Sequence, residues 1–272
     1  MKKLFIIALT ALGMLACSEQ NKPSEPVDMS GVLPGKFSVS ESKQVQFAQG
    51  NLQYQAKANK WRLAEKQYDI IGDGNSNISD MYDGWIDLFG WGTGSNPTNK
   101  STNDSDYSEY VEWGTNAISN GGNKANLWRT LTNEEWIYLF STRANAATLF
   151  GLGCVNDING MIILPDNWQS VAGVSFSSGG DSYSMNIYTA DEWSVMEQSG
   201  AAFLPAGGSR DSTEVNEVGS YGTYWSASLN VPFGAYYLYF PSIYKHSFGL
   251  SRQGGHPRNF GHSVRLVRKF EE

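Results

Sequence analysis

The chain has 272 residues, of which 17% are charged and 13% aromatic, with 29 glycines and a formal net charge of −7. This combination excludes a disordered solvating chain, and it argues against a coiled coil or a helical bundle. The negative net charge gives no general attraction to nucleic acid or to anionic lipid. What remains is a loop-rich, aromatic-rich globular protein.

The N-terminal residues have the pattern of a bacterial lipoprotein signal. Two lysines precede a mostly apolar stretch at residues 4–15, which is too short to span a bilayer. A small residue followed by Cys17 resembles a lipoprotein cleavage site, so that residues 1–17 would form the signal and Cys17 would carry the lipid. An ordinary signal peptide is the alternative. Residues 18–35 are rich in proline and are predicted to form an exposed tether.

The rest of the chain, residues 36–272, is predicted to form one domain without disulfides. Its only cysteine is Cys154, and no Cys/His group has the spacing of zinc ligands. Because Cys154 lies in a Gly-Leu-Gly-Cys-Val segment, we expect a buried structural thiol in a turn or strand.

The first part of the domain alternates apolar and polar residues, which is typical of strands. A hairpin turn is predicted at residues 49–51, between the first two of these strands. Residues 72–126 are predicted to be irregular, and such a long loop is either functional or packed by its own aromatic residues. The predicted strands are residues 45–48, 52–55, 61–63 and 68–71.

Two helices are predicted from capping boxes that begin at Thr132 and Thr189, the second helix ending near Gln198. A buried strand at residues 161–164 lies between them, and further strands follow. Short strands around two helices, without alternation of strand and helix, indicate an α+β fold. The predicted C-terminal strands are residues 224–227, 235–240, 247–250 and 263–268.

Five segments in this order carry a family resemblance. They are WRTLTNEEWIYLF (128–140), FLPAGGSRD (203–211), GSYGTYWSAS (219–228), AYYLYF (235–240) and GHSVRLVR (261–268). Together they resemble the major paralogous domain family described from Fibrobacter, which is abundant in lipoproteins of Bacteroidales. That family is similar to the formylglycine-generating-enzyme branch of the C-type lectin fold.

The resemblance covers roughly residues 36–269 and implies a compact α+β domain whose N- and C-terminal strands lie close together. It implies a loop-rich face that displays ligand-binding residues, and a lipid-anchored protein of the outer membrane, exposed at the cell surface. Some relatives are variable proteins of diversity-generating retroelements. In those proteins the C-terminal segment, here about residues 219–268, is mutagenised to alter binding.

The sequence predicts that the protein is not an enzyme. The formylglycine-generating enzymes use reactive cysteines in the C-terminal part of the domain, whereas this chain has no cysteine after Cys154. Its three histidines are not accompanied by a Gly-x-Ser-x-Gly elbow. The carboxylate pairs Glu134/Glu135 and Asp191/Glu192 lie in first helical turns, where capping explains them.

No cofactor is expected, and calcium has only a weak candidate site. Asp73, Asn75 and Asn77 have the oxygen spacing of a calcium loop, but the twelfth position is Gly84 rather than a bidentate glutamate. The sugar-binding signatures of calcium-dependent C-type lectins, Glu-Pro-Asn or Gln-Pro-Asp followed by Trp-Asn-Asp, do not occur. Asn and Asp in a glycine-rich loop usually make turns.

The C-terminal segment is the predicted binding surface. Residues 218–270 contain no acidic residue, but they contain all three histidines and many basic, Tyr and Phe residues. Tyr and Arg favour binding hot spots because they offer rigid area and directional donors. The candidate ligand-binding residues, most of them in the loops 229–234, 241–246 and 252–259, are Asn230, Phe233, Tyr237, Tyr239, Tyr244, His246, Arg252, His256, Arg258 and Asn259.

The leading hypothesis is therefore a surface lipoprotein that binds a protein or a glycan and does not bind nucleic acid. Mutagenesis at adenines of AAC or AAT codons cannot yield Gln, Lys, Glu, Met or Trp, and Lys245 and Gln253 alone represent these types in residues 226–263. This deficit is consistent with retroelement diversification, and also with loop composition. A structural or fimbria-associated component is the alternative. A degenerate enzyme, with a deep polar pocket, is a third hypothesis.

Overall fold

A computed structural model describes residues 30–180, 182–232, 234–241, 249–250 and 255–270. The predicted lipidation site Cys17 and the candidates Phe233, Tyr244, His246 and Arg252 lie outside these residues. The fold is mixed α+β, with two short α-helices among many short strands in the described residues. The helices are α1 (Asn133–Ile137) and α2 (Ala190–Gln198), and the strands are β1 (Phe37–Ser40), β2 (Lys43–Phe47), β3 (Leu52–Gln55), β4 (Lys60–Leu63), β5 (Phe150–Val155), β6 (Ile158–Ile163), β7 (Ile187–Tyr188), β8 (Ala202–Pro205), β9 (Ser209–Asp211), β10 (Glu214–Asn216), β11 (Gly222–Asn230), β12 (Gly234–Phe240), β13 (Gly249–Leu250) and β14 (Val267–Lys269).

The strands form five small sheets within the described part of the chain. Their orders are β1-β2-β14, β7-β5-β6-β8, β11-β12-β13, β3-β4 and β9-β10. All pairs are antiparallel except β5 with β7. Val267 of β14 lies opposite Phe47 of β2, so the first and last strands of the domain share a sheet.

Both capping boxes are confirmed. The Thr132 hydroxyl accepts a hydrogen bond from the backbone N–H of Glu135, and the Glu135 carboxylate accepts one from the N–H of Thr132. Thr189 and Glu192 make the same exchange at the start of α2, which ends at Gln198 as predicted. A turn of π-helix, Tyr138–Thr142, follows α1. Reciprocal capping satisfies N–H groups that would otherwise lack partners at a helix start.

The predicted pairing of the first strands is wrong. β2 pairs with β1 and β14, and β3 pairs with β4, so residues 49–51 do not form a hairpin turn. The chain passes instead along the C-terminal segment, where Ala48 N–H donates to Leu266 O and Leu52 N–H to Val264 O, both at 2.9 Å. Alternation identifies a strand but carries no information about a partner more than two hundred residues away.

Two further predicted strands are corrected. Residues 68–71 form no strand, although Tyr68 and Ile70 are half-buried. Of residues 263–268, only 267 and 268 belong to a strand, because β14 begins at Val267 and the preceding residues make isolated bridges such as Tyr224 with Ser263. Both segments have apolar alternation because they pack on the core, and packing alone does not require a continuous ladder.

The packed domain begins before residue 36. Leu33 is buried, and its N–H donates to Phe47 O at 2.9 Å. The last residues of the predicted tether therefore belong to the core. A single leucine among prolines gives no periodicity from which this packing could be predicted.

The long loop at residues 72–126 contains three short 3-10 turns and no strand, as predicted. Phe89, Trp91 and Trp113 are buried within it and pack against β3 and β4 residues such as Trp61. Trp85 is half-buried. The loop is thus held by its own aromatic side chains, in the manner that long ordered loops require. None of the helices among the described residues has the length and apolarity needed to cross a membrane.

Arg265 lies at the centre of the domain and is 1% exposed. Its guanidinium donates to Asn51 Oδ1 at 3.0 Å, to Ala48 O at 3.1 Å, to Phe203 O at 2.7 Å and to Gln67 O at 3.4 Å. Burial lowers the pKa of this group to about 10. One side chain therefore joins the C-terminal segment to three other parts of the chain.

We expect Arg265→Met to lower the free energy of unfolding by about 3–5 kcal/mol, because several buried acceptors lose their donor at once. Urea unfolding at neutral pH measures this loss. Lys124→Met removes a positive charge from an exposed position and serves as the control. A loss below about 1 kcal/mol for Arg265→Met would contradict the central role of this residue.

Candidate binding face

The candidate site is a cluster of rings on β11, β12 and the segment that follows residue 255. We call it the aromatic face, and its members are Trp225, Tyr237, Tyr239, His256, Phe260 and His262.

The cluster follows from the pairing and alternation of two strands. Trp225 of β11 lies opposite Tyr237 of β12. Leu238 and Phe240 of β12 are fully buried, whereas Tyr237 and Tyr239 remain half-buried. Because successive side chains of a strand point to opposite sides, β12 buries one row in the core and presents the other to this face.

The rings stack in a continuous ladder. The ring centroids of Tyr237 and Tyr239 lie 5.6 Å apart, and those of Tyr237 and His262 lie 5.2 Å apart with nearly parallel planes. Trp225 closes the buried end at 4.3 Å from His262. Such stacked and edge contacts add to the stabilisation from burial alone and fix the rings in place. The ladder is a rigid platform with half-buried tyrosines at its outer end.

Two histidines contact each other inside the cluster. His262 Nε2 lies 3.2 Å from His256 Nδ1, so one ring donates and the other accepts. Burial lowers the pKa of His256 to about 4, and the Asp211 carboxylate opposes this shift. The pKa of His262 also lies well below its ordinary value, because of burial and then the proximity of His256. Both rings are neutral at physiological pH.

A charged pair fixes the chain beside this cluster. Arg258 Nε donates to Asp104 Oδ2 at 2.9 Å, its Nη2 contacts the same oxygen, and its backbone N–H donates to Asp104 Oδ1. These contacts hold the pKa of Asp104 below its usual value. Arg258 therefore attaches the C-terminal segment to the long loop.

The structure brings together three of the predicted ligand-binding residues, Tyr237, Tyr239 and His256. It does not support the predicted role of three others as exposed anchors. Asn230 and Asn259 are buried, and the Arg258 guanidinium is already paired. Tyr, Arg and Asn in loops have the composition of a binding surface, but the same residue types also make the polar contacts that hold loops together.

Sequence reasoning missed Trp225, Phe260 and His262 as members of the face, and Asp104 as the partner of Arg258. Alternation on β11 indicates that Trp225 is buried but does not reveal which ring covers it. Asp104 and Arg258 are 154 positions apart, and neither lies in a motif that indicates the other.

The acid-free C-terminal segment does not form a basic surface among its described residues. Arg265 is fully buried, and Arg268 is 8% exposed, with its guanidinium 6.0 Å from the centroid of the Trp128 ring. With Arg258 paired to Asp104, these arginines hold the fold together. For the described arginines of this segment, the charge asymmetry of the sequence therefore reflects packing.

The calcium candidates do not form a ligand set. Gly72–Asn77 is a 3-10 turn, and the buried Asn75 Oδ1 accepts from the N–H groups of Asp87 and Leu88 at 2.9 and 3.0 Å. Asn77 donates to Gly74 O, and Asp73 is exposed. Across the described residues, no group of three or more His, Cys, Asp or Glu side chains is placed to hold a metal ion. These residues shape the loop, as expected for turns.

Two observations bear on catalysis. Cys154 lies in β5, half-buried, and burial raises the pKa of its thiol. A nucleophilic cysteine has the opposite shift. A partly open cavity of about 450 Å³ lies between Leu164, Met196 and residues 168–178, and none of its lining side chains is ionisable.

Comparisons with protein-family models, with curated proteins and with solved structures found no match to this chain.

The histidine pair predicts acid sensitivity. In the folded protein His256 stays neutral to about pH 4, whereas an unfolded histidine takes up a proton near pH 6.5. The unfolded state therefore binds more protons between these values, and stability falls as pH decreases from 6.5 to 4, by at most about 1.4 kcal/mol per pH unit from this residue. Above pH 6.5 the residue has no effect.

Urea unfolding of the wild type and of His256→Asn, at several pH values from 7.5 to 4.5, tests whether the free energy of unfolding falls as the pH decreases. We expect the stability of the wild type to fall more steeply below pH 6.5. Asp87, whose burial raises its pKa to about 6, acts in the opposite direction but is present in both proteins. A constant stability difference across the range would contradict the assignment.

Proposed function

We propose that the chain is a non-enzymatic, lipid-anchored protein of the outer-membrane surface that binds a protein or glycan ligand with the aromatic face and the loops beside it. The proposal includes the family resemblance of the five sequence segments and the C-type-lectin-like fold that this resemblance implies. The observation that carries it is the ladder of half-buried tyrosines on a platform fixed from beneath.

Aromatic side chains that are already fixed in place lose little conformational entropy when they bind a ligand. Tyr237 and Tyr239 are held at 5.6 Å in a stacked pair, so little side-chain freedom is lost when a ligand covers them. Residues 242–248 and 251–254, which include parts of the predicted binding segments 241–246 and 252–259, adjoin this platform in sequence, through β12, β13 and His256. Under this proposal, variation in these residues would alter the ligand without disturbing the rings.

The alternative of a structural or fimbria-associated component is favoured by the buried and paired state of Arg258, Asn230 and Asn259, which removes three of the predicted anchors. The enzyme hypothesis predicts a pocket with converging ionisable groups. The raised thiol pKa of Cys154 argues against a nucleophilic role for that residue.

A screen of the full chain on glycan and host-protein arrays identifies the ligand, and Tyr239→Ser then tests the face. We expect this variant to bind about tenfold or more weakly, because a ring at the outer end of the platform is lost. Tyr236→Ser is the matched control, since Tyr236 lies on the same strand but points to the opposite side. Equal loss in both variants, or no specific binding on either array, would contradict the proposal.

A further inference from the structure

A second recognition site lies away from the aromatic face. An open groove of about 410 Å³ runs between the β3-β4 pair and the turn that joins β5 to β6. This volume is in the range of small-ligand pockets. Its lining residues are Gln53, Arg62, Tyr68, Asp69, Ile70, Ile71, Asn156 and Ile158, none of which belongs to the aromatic face.

Planar polar side chains are fixed in this groove. Arg62 Nε donates to Gln53 Oε1 at 2.8 Å, and the central carbon of its guanidinium lies over the Trp85 ring, 3.9 Å from the ring centroid. Asp69 Oδ2 accepts from the backbone N–H of Lys66 at 2.8 Å. These contacts hold the guanidinium and the carboxylate in place before a ligand arrives, which reduces the entropy lost on binding.

Gln53 offers the groove a donor that the fold does not use. The residue is 2% exposed and lines the groove, and its Oε1 accepts from Arg62 Nε. Its Nε2 makes no hydrogen bond within the described residues, and it is not among their buried unpaired side-chain atoms. This N–H group therefore remains accessible to a ligand in the groove.

The charge of the groove defines the class of ligand. One guanidinium and one carboxylate line it, and Glu65 lies 3.9 Å from Arg62 at the rim, so the site has no excess positive charge. An anionic ligand would gain little there. The polar groups instead offer alternating donors and acceptors, next to the Tyr68 ring and three isoleucines. A neutral ring that carries several hydroxyl groups and has an apolar face matches this lining.

We propose that this groove binds a neutral sugar unit of a glycan. Gln53, Arg62, Asp69 and Asn156 would pair with hydroxyl groups, and Tyr68 with the isoleucines would cover the apolar face of the sugar ring. The site stands independently of the function proposed for the aromatic face.

Saturation-transfer NMR of the full chain tests the proposal, with the methyl glycosides of glucose, galactose, mannose, N-acetylglucosamine and fucose as probes. We expect at least one glycoside to bind with a millimolar Kd. Asn156→Gly removes an exposed amide at a left-handed position (φ 48°) that glycine adopts readily, and Arg62→Met removes the guanidinium. Each variant is expected to weaken binding about fivefold or more.

Asn145→Gly is the matched control, because Asn145 is also exposed and left-handed (φ 58°) but lies outside the groove. It should bind like the wild type, and so should Tyr239→Ser, which separates this site from the aromatic face. The proposal is overturned if no glycoside binds at about 20 mM. It is equally overturned if the groove variants bind like the control, or if N-acetyl-diglutamate binds through Arg62 while the glycosides do not.

Discussion

The structure depends on a buried cation, Arg265, that forms no salt bridge with a carboxylate of the described residues. The Arg265 guanidinium donates to the oxygens of Asn51, Ala48, Gln67 and Phe203, which belong to segments distant from it in sequence. Burial of a charge is tolerated only when its donors are satisfied, and here backbone carbonyls and one amide do this. The described residues form three hydrophobic clusters, and the acceptors of Arg265 include Ala48 of one cluster and Phe203 of another, so this polar centre links separate parts of the core.

Contacts of the same kind hold the described residues on both sides of the C-terminal segment 242–254 in place. Arg258 is tied to Asp104, Arg265 to the centre, and β14 to β2. On the other side, β12 pairs with β11 along its length. Sequence changes within residues 242–248 and 251–254 therefore act on a segment whose two flanks are held by contacts that do not involve it. Under the proposed function, variation in these residues would change the contacts to a ligand and leave this frame in place.

The sequence predicted local structure well and distant pairing poorly, for a physical reason. The capping boxes at Thr132 and Thr189 are contained within four residues, so they could be read directly and are confirmed. The partnership of β2 with β14, and of Asp104 with Arg258, depends on chain closure over most of the domain, which alternation and composition do not encode. The same limit applies to the site. The sequence identifies the aromatic strands correctly. Its acid-free C-terminal segment suggests a basic surface, whereas the described arginines of that segment make structural contacts. A buried arginine and a recognition arginine look alike until the acceptors around them are known.

The two candidate sites share one electrostatic property. On the aromatic face the two histidines are neutral, since burial lowers the pKa of each. In the groove the guanidinium of Arg62 is balanced by Asp69, with Glu65 at its rim. Long-range attraction therefore contributes little to recognition at either place, and the net charge of −7 gives no general attraction to anionic partners. Affinity would come from stacking, apolar contact and short hydrogen bonds, which are only weakly screened by salt. If both proposals hold, recognition would depend on the shape and hydrogen-bonding pattern of an uncharged surface, and it would vary little with ionic strength.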